Sequence, residues 1–276
     1  MKGAIFGDII GSRFEFSKLR NNKSEDFELL NKKCEFTDDT VLTIATADAI
    51  LNNKSFEQAY KEWGNMYPNC SYGNSFRNWL ESDNPKPYNS FGNGSAMRVS
   101  PIGWLYNDLK TVMDKAEESA RVTHNHIEGI KGASSIAACV YLARMKTPKK
   151  IIKEFIETFF DYDLNKNIED IRPNYYFDET CQGSVPESII CFLEGKSYED
   201  VVRKAVSLGG DTDTQACIAG SIAEAYYGRI PLKCMMKLNC YLDKYLLYII
   251  VQFDEAIKQG MIEDYFKNNF KNNLIK

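Results

Sequence analysis

The sequence is poor in the residues that build several common sites. It holds two histidines, His124 and His126, and none of its eight cysteines (Cys34, Cys70, Cys139, Cys181, Cys191, Cys217, Cys234 and Cys240) forms a Cys-x-x-Cys pair. A tetrahedral zinc site built from histidine and paired thiols is therefore disfavoured. Thiols scattered along apolar helical faces read as reduced core residues, which points to a reducing, cytoplasmic setting. No uncharged apolar run reaches the length of a membrane span. The amino-terminal apolar stretch is short and interrupted by Asp8, a poor match to a signal peptide. Lys and Arg are dispersed and the formal net charge is −4, so no basic stripe invites nucleic acid. Three nucleotide and hydrolase signatures also fail. Gly195-Lys196-Ser197 has Ile190 where a P-loop needs glycine. Gly92-Asn93-Gly94 lacks the third glycine of a dinucleotide fingerprint, and no Gly-x-Ser-x-Gly elbow occurs.

Strand-like alternation is scarce, and no hairpin dipeptide separates two alternating runs. What is present is helical periodicity. It predicts helices over residues 41–51, 56–66, 110–123, 129–145, 148–160, 185–193, 198–208 and 214–227, with 232–260 as two further helices. Residues 67–88 read as loop with a short helix near 75–80. Residues 161–180 and the tail after Phe266 read as irregular. No linker is long enough to divide the chain. The expectation is an all-α fold, a compact helical bundle in which residues 1–276 form a single domain.

Gly3, Gly7 and Gly11 recur every four residues and share one helical face, where they let another backbone approach; Glu15 continues that face by one turn. Two acidic segments stand directly before apolar helices. They are Phe36-Thr37-Asp38-Asp39-Thr40 and Gly209-Gly210-Asp211-Thr212-Asp213-Thr214. Thr and Asp are ordinary helix caps and suit the positive end of the helix dipole. A cap needs one side chain, however, and each segment offers two carboxylates and a hydroxyl. The glycine pair before Asp211 permits a sharp turn with positive φ. Carboxylates and hydroxyls are the donors preferred by hard cations such as Mg²⁺, Mn²⁺ and Ca²⁺. If the two helix starts converge, the cluster holds two ions, whose charge offsets repulsion among the acids.

These segments, in this order, resemble the ADP-ribosylglycohydrolase family, from Gly3 to about Gly228. Gly7 to Ser12 with Glu15 is similar to the family's opening helix, and the two acidic segments to its metal motifs. The run Ser90-Phe91-Gly92-Asn93-Gly94-Ser95-Ala96-Met97-Arg98 resembles its glycine-rich substrate loop, and Thr123-His124 its histidine segment. Ser71-Tyr72-Gly73-Asn74-Ser75 is only loosely like the second phosphate-contacting loop.

The resemblance implies an all-α bundle and a binuclear, metal-dependent glycosidase-type hydrolase. Such an enzyme cuts the N- or O-glycosidic bond between ADP-ribose and a protein side chain or small molecule. It implies two Mg²⁺ or Mn²⁺ ions on Thr37, Asp38, Asp39, Asp211, Asp213 and Thr214. Glu15 is expected to contact a metal or gate the substrate, and Asp38 or Asp39 to activate water. Gly73, Ser90, Phe91, Gly92, Asn93 and His124 are the expected substrate contacts. Two other readings stay open: a module that binds ADP-ribose without cutting it, and a metal-dependent nucleotide phosphohydrolase.

Overall fold

The computed structural model describes the backbone of residues 1–15 and 21–273 and the side chains of residues 1–15 and 21–260. The amino-terminal part carries α1 (Lys2–Glu15), α2 (Asp38–Leu51), α3 (Phe56–Met66), α4 (Asn74–Glu81), α5 (Gly94–Met97) and α6 (Ser100–Leu105). The middle carries α7 (Leu109–Arg121), α8 (Ile127–Arg144), α9 (Lys149–Phe160) and α10 (Ile168–Ile171), with a 3₁₀ turn over Arg172–Asn174. Then follow α11 (Cys181–Glu194), α12 (Tyr198–Ser207), α13 (Thr212–Tyr227), α14 (Leu232–Met235), α15 (Leu238–Tyr241) and α16 (Lys244–Asn273). Among the described residues there is no strand, and one isolated antiparallel bridge joins Gly92 to Thr180. The fold is all-α, as the periodicity predicts.

At the centre, α1 packs along α13, and α13 in turn packs on α8, α11 and α12. The glycine face of α1 is the reason that pair can approach so closely. A methyl group placed on Gly7 would overlap the backbone carbonyl of Ala216, and one on Gly11 that of Thr212. The Thr212 hydroxyl donates to the Gly11 carbonyl at 2.9 Å, locking the register of the two helices. Ile5, Phe6, Ile9 and Ile10 fill the remaining sides of α1 and are fully buried. A helix enclosed all round carries apolar residues all round. Glu15, one turn past Gly11, is thereby delivered beside the start of α13.

The structure departs from the periodicity in five places. The helix expected over 185–193 begins four residues earlier, at Cys181, and tolerates Pro186 inside it. Proline and glycine there mask the helical signal. Residues 161–180 contain α10 and the 3₁₀ turn, and α5 and α6 are too short for a periodic pattern to register. The stretch 232–260 divides into three helices rather than two. The tail after Phe266 continues α16 to Asn273, because elongation of an existing helix costs far less than nucleation. The last three residues of that tail lie outside the described residues.

Candidate metal centre and substrate cleft

The first acidic segment is arranged by its own helix start and by an acid from α1. Thr37 is the N-cap of α2, and its hydroxyl accepts from the Asp39 amide at 3.3 Å. The same hydroxyl donates to Asp8 Oδ1 at 2.9 Å. The amides of Thr37 and Thr40 each donate to Asp8 Oδ2 at 3.0 Å, and the Thr40 hydroxyl donates to it as well. Asp8 is completely buried. It serves as an external cap on α2, satisfying orphan amides of the first turn from a neighbouring helix. This leaves the carboxylates of Asp38 and Asp39 free of capping duty.

The second segment turns sharply as the glycine pair predicts. Gly209 and Gly210 have φ of 74° and 83°. A Cβ on Gly210 would also stand 2.9 Å from Phe177 Cα. The turn ends at Asp211, the N-cap of α13, whose carboxylate makes no capping hydrogen bond. Its Oδ2 instead accepts from the Asn93 side-chain amide at 2.6 Å. Asp213 and Thr214 occupy the first turn of α13. The two segments meet: the Thr214 hydroxyl donates to Asp39 Oδ2 at 3.2 Å, across 175 residues of sequence. Glu15, Asp211 and Asp213 each bring a carboxylate oxygen within 4.8 Å of the others.

So many buried acids disfavour ionisation. Burial is the main cause in every case, reinforced by neighbouring carboxylates. It pushes Asp8 and Asp38 up to about 7 and Asp213 up to about 6. Asp39 and Asp211 stand well above the carboxylate range. Glu15 is pushed up to about 12 by burial and by the neighbouring Asp213. Three buried oxygens, Glu15 Oε2, Asp39 Oδ1 and Asp213 Oδ1, have no donor among the described residues. Orphaned carboxylate oxygens in a buried cluster of like charge are what oxygen-ligated divalent cations satisfy. The residues present fit that group.

The cluster forms the floor of a cleft of about 480 Å³, within the range of about 300–1,000 Å³ usual for small-molecule sites. Glu15, Asp38, Asp39, Asp211, Asp213 and Thr214 line the floor. Ser90, Gly92, Asn93 and His124 line one wall, and Gly73 lies in the rim. The glycine loop is pinned to residues 179–181: the Asn93 amide donates to the Glu179 carbonyl at 2.8 Å, and the Cys181 amide to the Phe91 carbonyl at 2.8 Å. Two expected residues stand apart from the lining. Thr37 lies behind the floor as the cap of α2. Phe91 points outward, 45% exposed, its ring edge-on to His126.

Several residues that no local pattern marks as part of a site are brought here by the fold. Tyr72, Phe76 and Tyr88 line the cleft, together with Arg98 and Glu179. Tyr72 and Phe76 have helical i, i+4 spacing, a signal hidden in a stretch read as loop. Asp8 was legible only as an acid inside an apolar helix.

Comparison with known proteins agrees with this architecture. The family model described as ADP-ribosylglycohydrolase matches residues 1–259. ADP-ribosylhydrolase ARH3 of Gallus gallus is 28% identical, covering 87% of this chain and 87% of the relative. ADP-ribosylhydrolase ARH3 of Homo sapiens is 27% identical, covering 83% and 84%. A solved structure titled ADP-ribosylglycohydrolase-related protein complex shares the fold at a TM-score of 0.70 and 21% identity, covering 93% of each chain. With a family match running almost from end to end and its acids gathered at one cleft floor, the chain belongs to the ADP-ribosylglycohydrolase family of enzymes.

Proposed function

We propose that the protein is a metal-dependent hydrolase that cleaves the N- or O-glycosidic bond between ADP-ribose and an acceptor, releasing ADP-ribose. The acceptor is an ADP-ribosylated protein side chain or small molecule. The observation that carries this is the convergence of Glu15 and both acidic segments on one cleft floor, beneath a glycine loop. Asp38, Asp39, Asp211, Asp213 and Thr214 would hold two divalent cations, Mg²⁺ or Mn²⁺, while Thr37, whose hydroxyl is engaged by Asp8 and by the Asp39 amide, keeps the first turn of α2 in place behind them. When bound, such ions supply Lewis acidity and orient the hydroxyls of the ribose next to the scissile bond.

The protein's own groups account for the rest. Cleavage passes through an oxocarbenium-like centre, so the anionic floor stabilises the positive charge that develops at the anomeric carbon. Asp38 or Asp39 accepts the proton of the attacking water as the new C–O bond forms at the anomeric carbon, and that proton passes to the acceptor's nitrogen or oxygen as the glycosidic bond breaks, regenerating the carboxylate. Asn93 holds Asp211 in place through its amide, and the walls at Ser90, Gly92 and His124 receive the diphosphate side of the ligand. Glu15, at the edge of the cluster, gates access or contacts a cation.

The test is release of free ADP-ribose from a modified protein, with chelator and after restoring Mg²⁺ or Mn²⁺, across a panel of defined linkages. Turnover is expected only with the metal. In Asp211→Asn both metal affinity and turnover should fall while the fold persists, since the Asp211 carboxylate caps no helix. Undiminished activity after complete metal removal would sink the proposal. Phosphate or a nucleoside monophosphate as product would assign phosphohydrolysis instead, and tight ADP-ribose binding without turnover on any linkage would assign a binding module.

A further inference from the structure

His124 is nearly enclosed, at 6% exposure. The ring edge bearing Nε2 lies against the glycine loop: a Cβ built on Gly94 would stand 3.2 Å from Nε2, and one on Gly92 3.7 Å. Among the described residues, Nε2 makes no hydrogen bond within the protein. The other ring nitrogen, Nδ1, is 2.7 Å from the Thr123 hydroxyl. That hydroxyl also receives a hydrogen bond from Arg98 Nη2 at 2.9 Å. Arg98 cannot turn away from it. The same nitrogen donates to the Ser119 carbonyl at 2.9 Å, and the guanidinium lies 4.1 Å over the Tyr60 ring. Arg98 is fully buried.

The direction of the Thr123–His124 bond follows from these partners. A guanidinium only donates, so Thr123 Oγ1 accepts from Arg98 and its own proton needs an acceptor. Nδ1 stands at hydrogen-bond distance. A neutral imidazole carries one proton, and the nitrogen that accepts is the one without it. The proton is then on Nε2, facing the cleft. Burial, and secondly the Arg98 charge, hold the imidazole well below its ordinary range, so the ring is neutral. The Tyr88 hydroxyl, also beside Thr123, is the competing acceptor. If it took the threonine proton, His124 would carry its own on Nδ1.

We infer that Thr123 is a positioning residue which, held by Arg98, fixes His124 as the Nε2–H tautomer and aims one neutral donor at a diphosphate oxygen of the ligand. The ligand half of this rests on the ADP-ribose reading above. The opposite tautomer would present a lone pair to an anionic oxygen, and the wall would repel what it is placed to hold.

The tautomer is measurable without any ligand. With only two histidines in the chain, His126→Asn leaves a single imidazole, and asparagine suits the N-cap that His126 occupies. Nitrogen-15 spectra of that full-length, ligand-free protein at pH 7 should show Nδ1 unprotonated and Nε2 protonated. Thr123→Ser, which keeps the hydroxyl, should preserve the pattern; Thr123→Val, of nearly the same shape, should lose it. Titration with ADP-ribose in Mg²⁺ should then be about tenfold weaker for Thr123→Val and nearly unchanged for Thr123→Ser, the scale of one net hydrogen bond. A protonated Nδ1 in the unsubstituted Thr123 background overturns the inference. So does a Thr123→Val protein with the original tautomer and affinity. An enzyme with the Nε2–H tautomer that binds no ADP-ribose overturns the functional reading and, with it, the ligand half alone.

Discussion

A carboxylate enclosed in the middle of an apolar helix is costly unless its oxygens are occupied. Asp8 meets that condition by accepting from two amides and two hydroxyls at the start of α2. It also ties the first acidic segment to α1, the helix that supplies Glu15. Asp8→Ala would orphan these donors in a buried site, at about 1–3 kcal/mol for each one left unsatisfied. The expected result is a loss of roughly 3 kcal/mol or more in urea unfolding, together with weaker metal binding by calorimetry. A variant with unchanged stability would show that water replaces the carboxylate at little cost. Sequence alone registers Asp8 as a break in an apolar stretch. Its partners are 29 and 32 residues away, so its role becomes visible only once α1 and α2 are side by side. Asp211 and Asp213 were more legible, since two acids before one helix exceed what a cap requires.

Between α1 and α13, propensity and packing make opposite predictions for the same substitution. Alanine is favoured over glycine in a helix by about 1 kcal/mol, so Gly7→Ala would stabilise α1 in isolation. In the folded protein the added methyl meets the Ala216 carbonyl and the Cys217 amide of α13, both backbone atoms. Neither can swing aside as a side chain would. Gly7→Ala should therefore destabilise by about 3 kcal/mol or more, and the displaced α1 should carry Glu15 away from Asp213. Urea titration gives the first result and metal affinity the second. A more stable Gly7→Ala protein would mean the two helices have slack between them. The glycine spacing announced this contact without naming its partner. Long helices were legible because their apolar faces recur; α5 and α6 were not, because helices of 4 and 6 residues complete fewer than two turns. The start of α11 was lost for another reason: Pro186 and Gly183 carry poor helix propensity, and tertiary packing overrides it.

Over the whole molecule, the decisive event is that the beginning of α2 and the beginning of α13 meet, though 175 residues separate Asp39 from Thr214. Donor chemistry in the sequence argued for a shared cation site. The distance between the halves of that site was beyond any local pattern, because it is set by how α1 lies along α13.

Gathering five acids on one floor, with Asp8 buried beside them, makes the stability of the entire fold depend on pH. Asp8 and Asp38 titrate near 7 and Asp213 near 6 in the folded protein, against 3.8 when unfolded. Between about pH 4 and pH 7 the metal-free folded state thus holds more protons than the unfolded one. Stability present at the low end of that window is lost as pH rises through the folded values. Each extra proton is worth about 1.4 kcal/mol per pH unit. In chelator, the melting temperature should fall from pH 5 to pH 7.5. Saturating Mg²⁺ or Mn²⁺ should reverse the trend, because a cation binds the ionised acids and so stabilises most where they are deprotonated. The increment in melting temperature on adding metal should consequently be larger at pH 7.5 than at pH 5. Equal increments at both values would mean that the ion displaces no protons, and that the buried acids are not its ligands.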